Sequence, residues 1–454
     1  MSRPVRAFRR VLVANRGEIA LRVLRACREI GLETVAVYSE ADRDSLAVRM
    51  ADGSICIGSP PSRSSYLDIE KIIAAARLAG ADAIHPGYGF LSESAAFARA
   101  CDEAGIAFIG PSAAAIGLMG DKATARRMAA EANVPITPGS AATLPDAAAA
   151  RIAASTLGYP ILLKATAGGG GRGMRVVRDE ASLAGNFRDA ASEAQSAFGD
   201  ASLYIEKFLE RVRHVEIQVL SDGETVLHLG ERDCSIQRRN QKLVEESPSP
   251  ALDEAVRAQM GEAAVRICRH VGYVNAGTVE FIVDRANGAF YFMEMNTRVQ
   301  VEHPVTEMVT GIDIVKAQIR IAQGEPIGLH QRDVRLTGHA LECRINAEDP
   351  QRGFAPTPGE VHTVIWPGGP GIRVDSHLYP GYRVPPYYDS LLAKVVAWDR
   401  DRDETIARMR RALAEMRIEG VPTTTPFHER LLADARFLNG DVHTRFVEDE
   451  FAGA

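Results

Sequence analysis

The chain has 454 residues, 46% of them hydrophobic and 25% charged, with a formal net charge of −6. That length predicts two to four domains around a large core, and the mildly acidic balance excludes the basic surface of a nucleic-acid-binding protein. No apolar run is long enough to span a bilayer, and the apolar stretch after the basic N-terminus is too short for a signal peptide, so a cytoplasmic protein is expected. The six cysteines, at 27, 56, 101, 234, 268 and 343, have no zinc-ligand or redox spacing. They read as small buried hydrophobes, with Cys234 notable for lying beside a charge cluster. Of the 53 basic residues only seven are lysine (71, 122, 164, 207, 242, 316 and 394), leaving 46 arginines. In so biased a chain a lysine is a specific choice, because an ammonium differs from a guanidinium in reach, hydration and pKa.

Residues 10–116 alternate strands (10–14, 34–38, 83–85, 107–109) with helices (18–30, 71–78, 97–104). This pattern predicts a parallel sheet with helices on its faces. The first turn, Asn15-Arg16-Gly17-Glu18, lacks the dinucleotide glycine fingerprint, so the fold reads as Rossmann-like without that site. A boundary is expected near 117–120, then a helix over 121–132 and a linker marked by Pro135, Pro138, Gly139 and Pro145. Residues 140–209 form a compact unit with an Ala-rich helix, strands at 161–164, 174–177 and 203–205, and a further helix. Strands follow at 214–220, 225–229, 278–283 and 289–296, with helices near 253–270 and 311–323. Turn-rich strands and a helix around 403–417 make up the last third.

The run Gly168-Gly169-Gly170-Gly171-Arg172-Gly173 lets backbone N–H groups approach an anion closely. It is not a Walker A motif, since no Gly-Lys-Ser/Thr ends it, and it reads as a flap over phosphates. Lys122 and Lys164 flank it as phosphate contacts. Glu206-Lys207-Phe208-Leu209 ends a strand as an adenine-binding hinge would. Residues 231–242 are dense in both charges and read as an anion-binding loop. Glu280 lies opposite the apolar face of Val279, Phe281 and Val283. The Asn287-Gly288 turn brings it beside Glu294 in one hairpin register, where two carboxylates call for a shared cation. Glu294, Asn296, Arg298, Gln300 and Glu302 then alternate. In an extended chain all five point one way, with Met293, Met295, Thr297, Val299 and Val301 on the other face. That front suits a divalent cation at one end and a small anion at the other.

Together these segments resemble the biotin carboxylase family of ATP-grasp ligases. The resemblance runs from about 10 to 446. Its markers are 14–20 (Ala-Asn-Arg-Gly-Glu-Ile-Ala), 85–93 (His-Pro-Gly-Tyr-Gly-Phe-Leu-Ser-Glu), 119–122, the glycine run, 213–218 (Arg-His-Val-Glu-Ile-Gln), 294–304 and 342–349 (Glu-Cys-Arg-Ile-Asn-Ala-Glu-Asp). It implies an α/β (α+β ATP-grasp) fold in three parts. These are a Rossmann-like N-terminal domain over 1–117, an ATP-grasp domain over 118–330 with a glycine-loop lid at about 138–209, and a mixed α+β C-terminal domain over 331–454. It implies that Lys122, Lys164, Gly170, Gly171, Glu206, Lys207, Leu209, His214, Gln237 and Asn240 hold ATP. Glu280, Glu294 and Asn296 would hold Mg²⁺ or Mn²⁺, two ions in all. Lys242, Arg298, Gln300 and the Val301 backbone would bind bicarbonate, with Glu302 as its base. Arg344 would stabilise the biotin enolate and Tyr88 would lie beside the biotin ring.

Asn240 departs from the His of many acetyl-CoA carboxylase subunits and resembles the version found in propionyl-CoA and other acyl-CoA carboxylases. No Ala-Met-Lys-Met biotin-attachment motif or carboxyltransferase segment occurs, so biotin on a separate carrier protein or domain and a separate carboxyltransferase are expected as partners. A homodimer through Arg22, Arg25 and Glu29 and the C-terminal domain is implied by the resemblance. Two other readings share the nucleotide site: a carboxylate–amine ligase, disfavoured by the Arg298/Gln300/Glu302 set, and a nucleotide sensor without turnover, disfavoured by the retained metal carboxylates and base.

Overall fold

The structure, a computed structural model, describes residues 6–140, 142–166 and 174–451. The glycine run at 168–173, with Gly170 and Gly171, lies outside the described residues. Strands β1 (Arg10–Val13), β2 (Glu33–Ser39), β3 (Gly53–Gly58), β4 (Ala83–His85) and β5 (Ala107–Phe108) form a parallel sheet in the order β3-β2-β1-β4-β5. The chain starts in the middle of this sheet and winds outward both ways, as the β-α-β alternation requires. Edge strand β3 goes beyond the sequence expectation, because its glycine ends weaken the pattern.

Helix Ala147–Leu157, strands β6 (Ile161–Ala165) and β7 (Met174–Val177), helix Glu180–Phe198 and strand β8 (Leu203–Lys207) form a small unit whose sheet order is β7-β6-β8. Asp146 and Asp179 cap its helices by accepting from the Ala149 and Ser182 amides. Its core takes Ala150 and Ala154 from one helix and Ala190 and Ala194 from the other.

Strands β9 (Val212–Ser221), β10 (Val226–Arg238), β11 (Gln241–Ser247), β12 (Asn275–Asp284), β13 (Phe290–Asn296) and β14 (His339–Asn346) belong to one eight-stranded sheet. The order is β13-β12-β9-β10-β11-β14, followed by Leu391–Asp399 and Ile372–Ser376. Every pairing in it is antiparallel. The sheet therefore runs straight across position 330, where the sequence reading starts a separate part.

Residues 117–120, where a boundary is expected, are the end of helix Ala113–Gly120, which buries Ala115 and Met119 in the core under β9 and β12. Two sequence expectations change. Residues 231–242 are not a loop but a hairpin, turning at Arg239 and Asn240 with φ of 48° and 64°. Asn accepts such a left-handed turn position readily. The charges there are interior: Arg232, Glu231 and Asp233 find partners across neighbouring elements. Finally, the five-residue polar row is not one strand. β13 stops at Asn296, Glu93 captures the Thr297 amide at 3.0 Å, and helix His303–Thr310 begins with Pro304 in its first turn. No helix among the described residues is long and apolar enough to cross a membrane.

Candidate active site

Alternation along β12 turns Val279, Phe281 and Val283 into the core and leaves Glu280 on the opposite face. The hairpin register pairs Glu280 with Glu294, as the Asn-Gly turn predicted. The row continues: Glu280 faces Glu216 of β9, and Glu216 faces Arg232 of β10. Three carboxylates thus stand side by side across adjacent strands, an arrangement that repels unless cations intervene.

Lys242 of β11 supplies one. Its ammonium lies 2.6 Å from Glu216, 3.0 Å from Glu280 and 2.6 Å from Glu302. Arg232, at 0% exposure, supplies another. It reaches Glu216 at 2.6 Å, Gln218 at 2.7 Å and Gln300 at 2.8 Å. Gln300 in turn donates to Glu280 at 2.7 Å, and Asn296 does so at 2.9 Å. Arg344 bridges Glu245 at 2.6 Å and Glu302 at 2.9 Å. The side chains of Asn296, Gln300 and Glu302 therefore converge although their segment bends. The convergence comes from shared partners and not from strand alternation. Of the apolar set, Met295 and Val299 enter the core while Met293 and Val301 line the cleft.

Burial disfavours charge on Glu302 and Glu280, but Lys242 outweighs it, helped by Arg344 at Glu302 and His214 at Glu280, and holds both carboxyls well below the usual range. Burial likewise opposes the Lys242 charge, and the surrounding acids overcome it and push the ammonium well above the ordinary lysine value. Burial dominates at Glu245, pushed up to about 7, because Arg344 offsets only part of it and Glu302 adds repulsion.

These groups open onto a cleft of about 850 Å³. Lys122, Lys164, His214, Gln237, Asn240, Glu294, Arg298 and Val301 line it, together with Tyr88 and Arg344. Lys122 approaches Glu294 at 3.4 Å and His214 approaches Glu280 at 2.9 Å. Glu206, Lys207 and Leu209 are not on the cleft wall. The Glu206 carboxylate is closed by Lys164 at 2.6 Å and Arg126 at 2.9 Å, and Lys207 donates to the Gly158 and Tyr159 carbonyls. Arg22 also differs from expectation. It is buried within the chain, 2.8 Å from Glu307 and 2.6 Å from Asp313. Arg25 is exposed, and Glu29 pairs with Lys316 at 2.5 Å.

Glu280, Glu294 and Asn296 are oxygen donors on neighbouring strands, which fits a hard divalent cation such as Mg²⁺ or Mn²⁺. His214, Glu216 and Glu280 also bring ligand atoms within 4.8 Å of one another, but Arg232 and Lys242 already close Glu216.

Sequence reasoning passed over four residues. Glu216 and Glu93 sit inside quoted motifs without a role, yet Glu93 holds Arg298 at 2.9 Å. Arg232 was absorbed into the supposed loop. Lys394, a lysine inside an apolar strand of a lysine-poor chain, touches the Val301 carbonyl at 2.9 Å. That composition was the available signal.

Known proteins match this arrangement over nearly the whole chain. Residues 7–116 match the biotin carboxylase N-terminal domain, 121–330 the carbamoyl-phosphate synthase L chain ATP-binding domain, and 342–449 the biotin carboxylase C-terminal domain. Biotin carboxylase 1 of Bacillus subtilis is 57% identical over 443 residues, covering 97% of this chain and 98% of that one. The solved Campylobacter jejuni biotin carboxylase–beta-gamma-ATP complex superposes with a TM-score of 0.95 at 49% identity, covering 98% of this chain and 99% of that one. The biotin carboxylase domain dimer of the Hydrogenobacter thermophilus 2-oxoglutarate carboxylase, with MgADP, ADP and bicarbonate, does so at 0.93 and 51% identity, covering 97% of each chain.

Proposed function

From the premise that this chain belongs to the biotin carboxylase family, and is thus an ATP-dependent ligase that carboxylates biotin, we propose that it works through carboxyphosphate on biotin held by a carrier protein. The observation that carries this reading is the convergence of Lys242, Arg344 and Glu302 in one cleft with Arg298 and Gln300.

In this reading bicarbonate lies between Lys242, Arg298, Gln300 and the Val301 backbone. Glu302 takes its proton as a bicarbonate oxygen attacks the γ-phosphorus of ATP, and ADP leaves. The ion pairs keep Glu302 ionised but weakly basic; an anion that draws Lys242 toward itself raises that basicity at the moment it is needed. Glu93 holds Arg298 from outside, which fixes the guanidinium plane for a bidentate contact. Carboxyphosphate splits into CO₂ and phosphate, the phosphate removes the N1 proton of biotin, and the enolate adds to CO₂. Arg344 faces the enolate oxygen, and Tyr88 packs beside the biotin ring.

Lys122, Lys164, His214, Gln237, Asn240 and the glycine run at 170–171 serve the nucleotide, with Glu206, Lys207 and Leu209 at its adenine end once the β6–β8 unit closes. Glu280, Glu294 and Asn296 hold Mg²⁺ or Mn²⁺, which supplies charge neutralisation at the transferred phosphoryl group. We assign the product carboxybiotin to an acyl-CoA carboxylase, acetyl- or propionyl-specific, with a separate carrier, a carboxyltransferase and a homodimeric arrangement. Within that class the Asn240-Gln241-Lys242 sequence favours propionyl-CoA or another acyl-CoA over acetyl-CoA.

ADP release with MgATP, bicarbonate and free biotin, each omitted in turn, tests the half-reaction. Release that needs both bicarbonate and biotin is expected; release indifferent to both would move the assignment to another ATP-grasp ligase. Carboxylation assayed with acetyl-CoA, propionyl-CoA, pyruvate and 2-oxoglutarate in the reconstituted carboxylase would identify the acceptor.

A further inference from the structure

Lys394 is a buried lysine that the reaction as described leaves without a role. It sits mid-strand in Leu391–Asp399, among Leu392, Ala393, Val395 and Val396, at 0% exposure. A charge in such a place is costly unless paired and hydrogen-bonded. Its ammonium donates to the Val301 carbonyl at 2.9 Å and lies 3.1 Å from Glu18. Asp375 is farther away, at 3.9 Å, and its two oxygens are already bound by Arg373. The Glu18 oxygen facing Lys394 also accepts from the Tyr88 hydroxyl.

Val301 and Tyr88 belong to segments far apart in the chain. Val301 lies in the bend between β13 and helix His303–Thr310. Tyr88 lies in the turn after β4, whose Pro86 and Tyr88 carbonyls both accept from Asn15 at 2.7 Å. Glu18 is three residues past Asn15, in the first turn of helix Gly17–Glu29. A short path of buried contacts therefore joins the two: Val301 carbonyl, Lys394, Glu18, Tyr88 hydroxyl.

We infer that Lys394 and Glu18 form a positioning pair that sets the Val301 backbone against Tyr88, and so fixes where bicarbonate and biotin meet. This rests on the function proposed above and adds to it two residues that act through Val301 and Tyr88. The choice of lysine follows from the geometry. A compact ammonium has three donors and serves a carbonyl and a carboxylate from one point, whereas the planar guanidinium needs more room.

The test is the double variant Glu18→Gln/Lys394→Met in the intact chain, which removes both charges together and strands neither. Its melting temperature and KM for ATP should stay near the parent's. KM for bicarbonate and for free biotin should each rise about tenfold or more, and a larger share of ADP release should run without biotin. The single Lys394→Met variant, which leaves the buried Glu18 without its cation, should show the same substrate effects with a lower melting temperature. Parental KM values for bicarbonate and biotin in the double variant would overturn the inference. So would an equal rise for all three substrates with a fallen melting temperature, since both describe a merely structural pair. Parent enzyme lacking biotin- and bicarbonate-dependent release would overturn the functional reading instead, so the two failures are distinguishable.

Discussion

On the cleft floor Lys242 meets three carboxylates from β9, β12 and the bend after β13, at 2.6 to 3.0 Å. In the β6–β8 unit Lys164 meets one carboxylate among the described residues, Glu206, at 2.6 Å. Two floor partners ride on different strands of a sheet eight strands wide and the third on the bend that follows β13, so no single side chain can move without leaving a buried charge behind. The β6–β8 unit has three strands and a core rich in alanine, and it carries its lysine on a strand that continues toward the glycine run. The contrast teaches a division of labour. On the proposed function, the bicarbonate chemistry is built in advance on the rigid sheet, and the nucleotide contacts are completed by a smaller unit on binding.

The sharpest way to test that division is Glu302→Gln. Bicarbonate-dependent ADP release should fall about 10²- to 10⁴-fold, the range for loss of a general base, while ATP affinity measured by calorimetry stays at the parent value. Unchanged release would remove Glu302 as the base. Lys242→Met comes next. It leaves Glu216, Glu280 and Glu302 without their common cation and should cost about 3–5 kcal/mol of stability as well as turnover. A stable Lys242→Met protein in urea unfolding would mean that the floor is not locked as described.

Glu246 extends the comparison to the other face of β11, next to Glu245. Burial resists its ionisation, yet His339 and Arg402 outweigh burial and hold it at about 2 against an ordinary 4.5. The unfolded chain takes up that proton at higher pH than the folded one. This stability is therefore full above pH 4.5 and lost as pH falls toward 2. Glu246→Gln should cost about 3 kcal/mol at neutral pH and flatten the acid limb of stability against pH. An unaltered acid limb would show that the pair contributes nothing there. The smallest effect on the fold should come from Lys164→Met, about 1 kcal/mol, because Arg126 still pairs with Glu206. KM for ATP should nonetheless rise roughly tenfold, equivalent to one lost charge-assisted contact. If Lys164→Met instead destabilised the protein as much as Lys242→Met, the two regions would not differ in kind.

Local patterns were legible where one periodicity and one turn signal agreed. The β-α-β alternation gave the parallel sheet, and Asn287-Gly288 gave the Glu280–Glu294 register. They misled where a run dense in both charges was taken as an anion-binding loop. Residues 231–238 alternate faces as any strand does, but Glu231, Arg232 and Asp233 are buried and paired with residues distant in the chain, which no local pattern shows. The straight row from Glu294 to Glu302 failed for a related reason: the partner that ends β13, Glu93, lies far away in the chain.

By itself the sequence determined the strand–helix order, the motifs that carry the family resemblance, and the supply of carboxylates, arginines and rare lysines, because these depend on neighbours a few residues apart. Only the tertiary structure decided which charges meet. Pairings such as Lys242 with Glu216, Arg298 with Glu93, and Lys394 with Glu18 and Val301 follow from strand register and from segments packed across the cleft. Those are set by burial of the whole core and not by any local pattern.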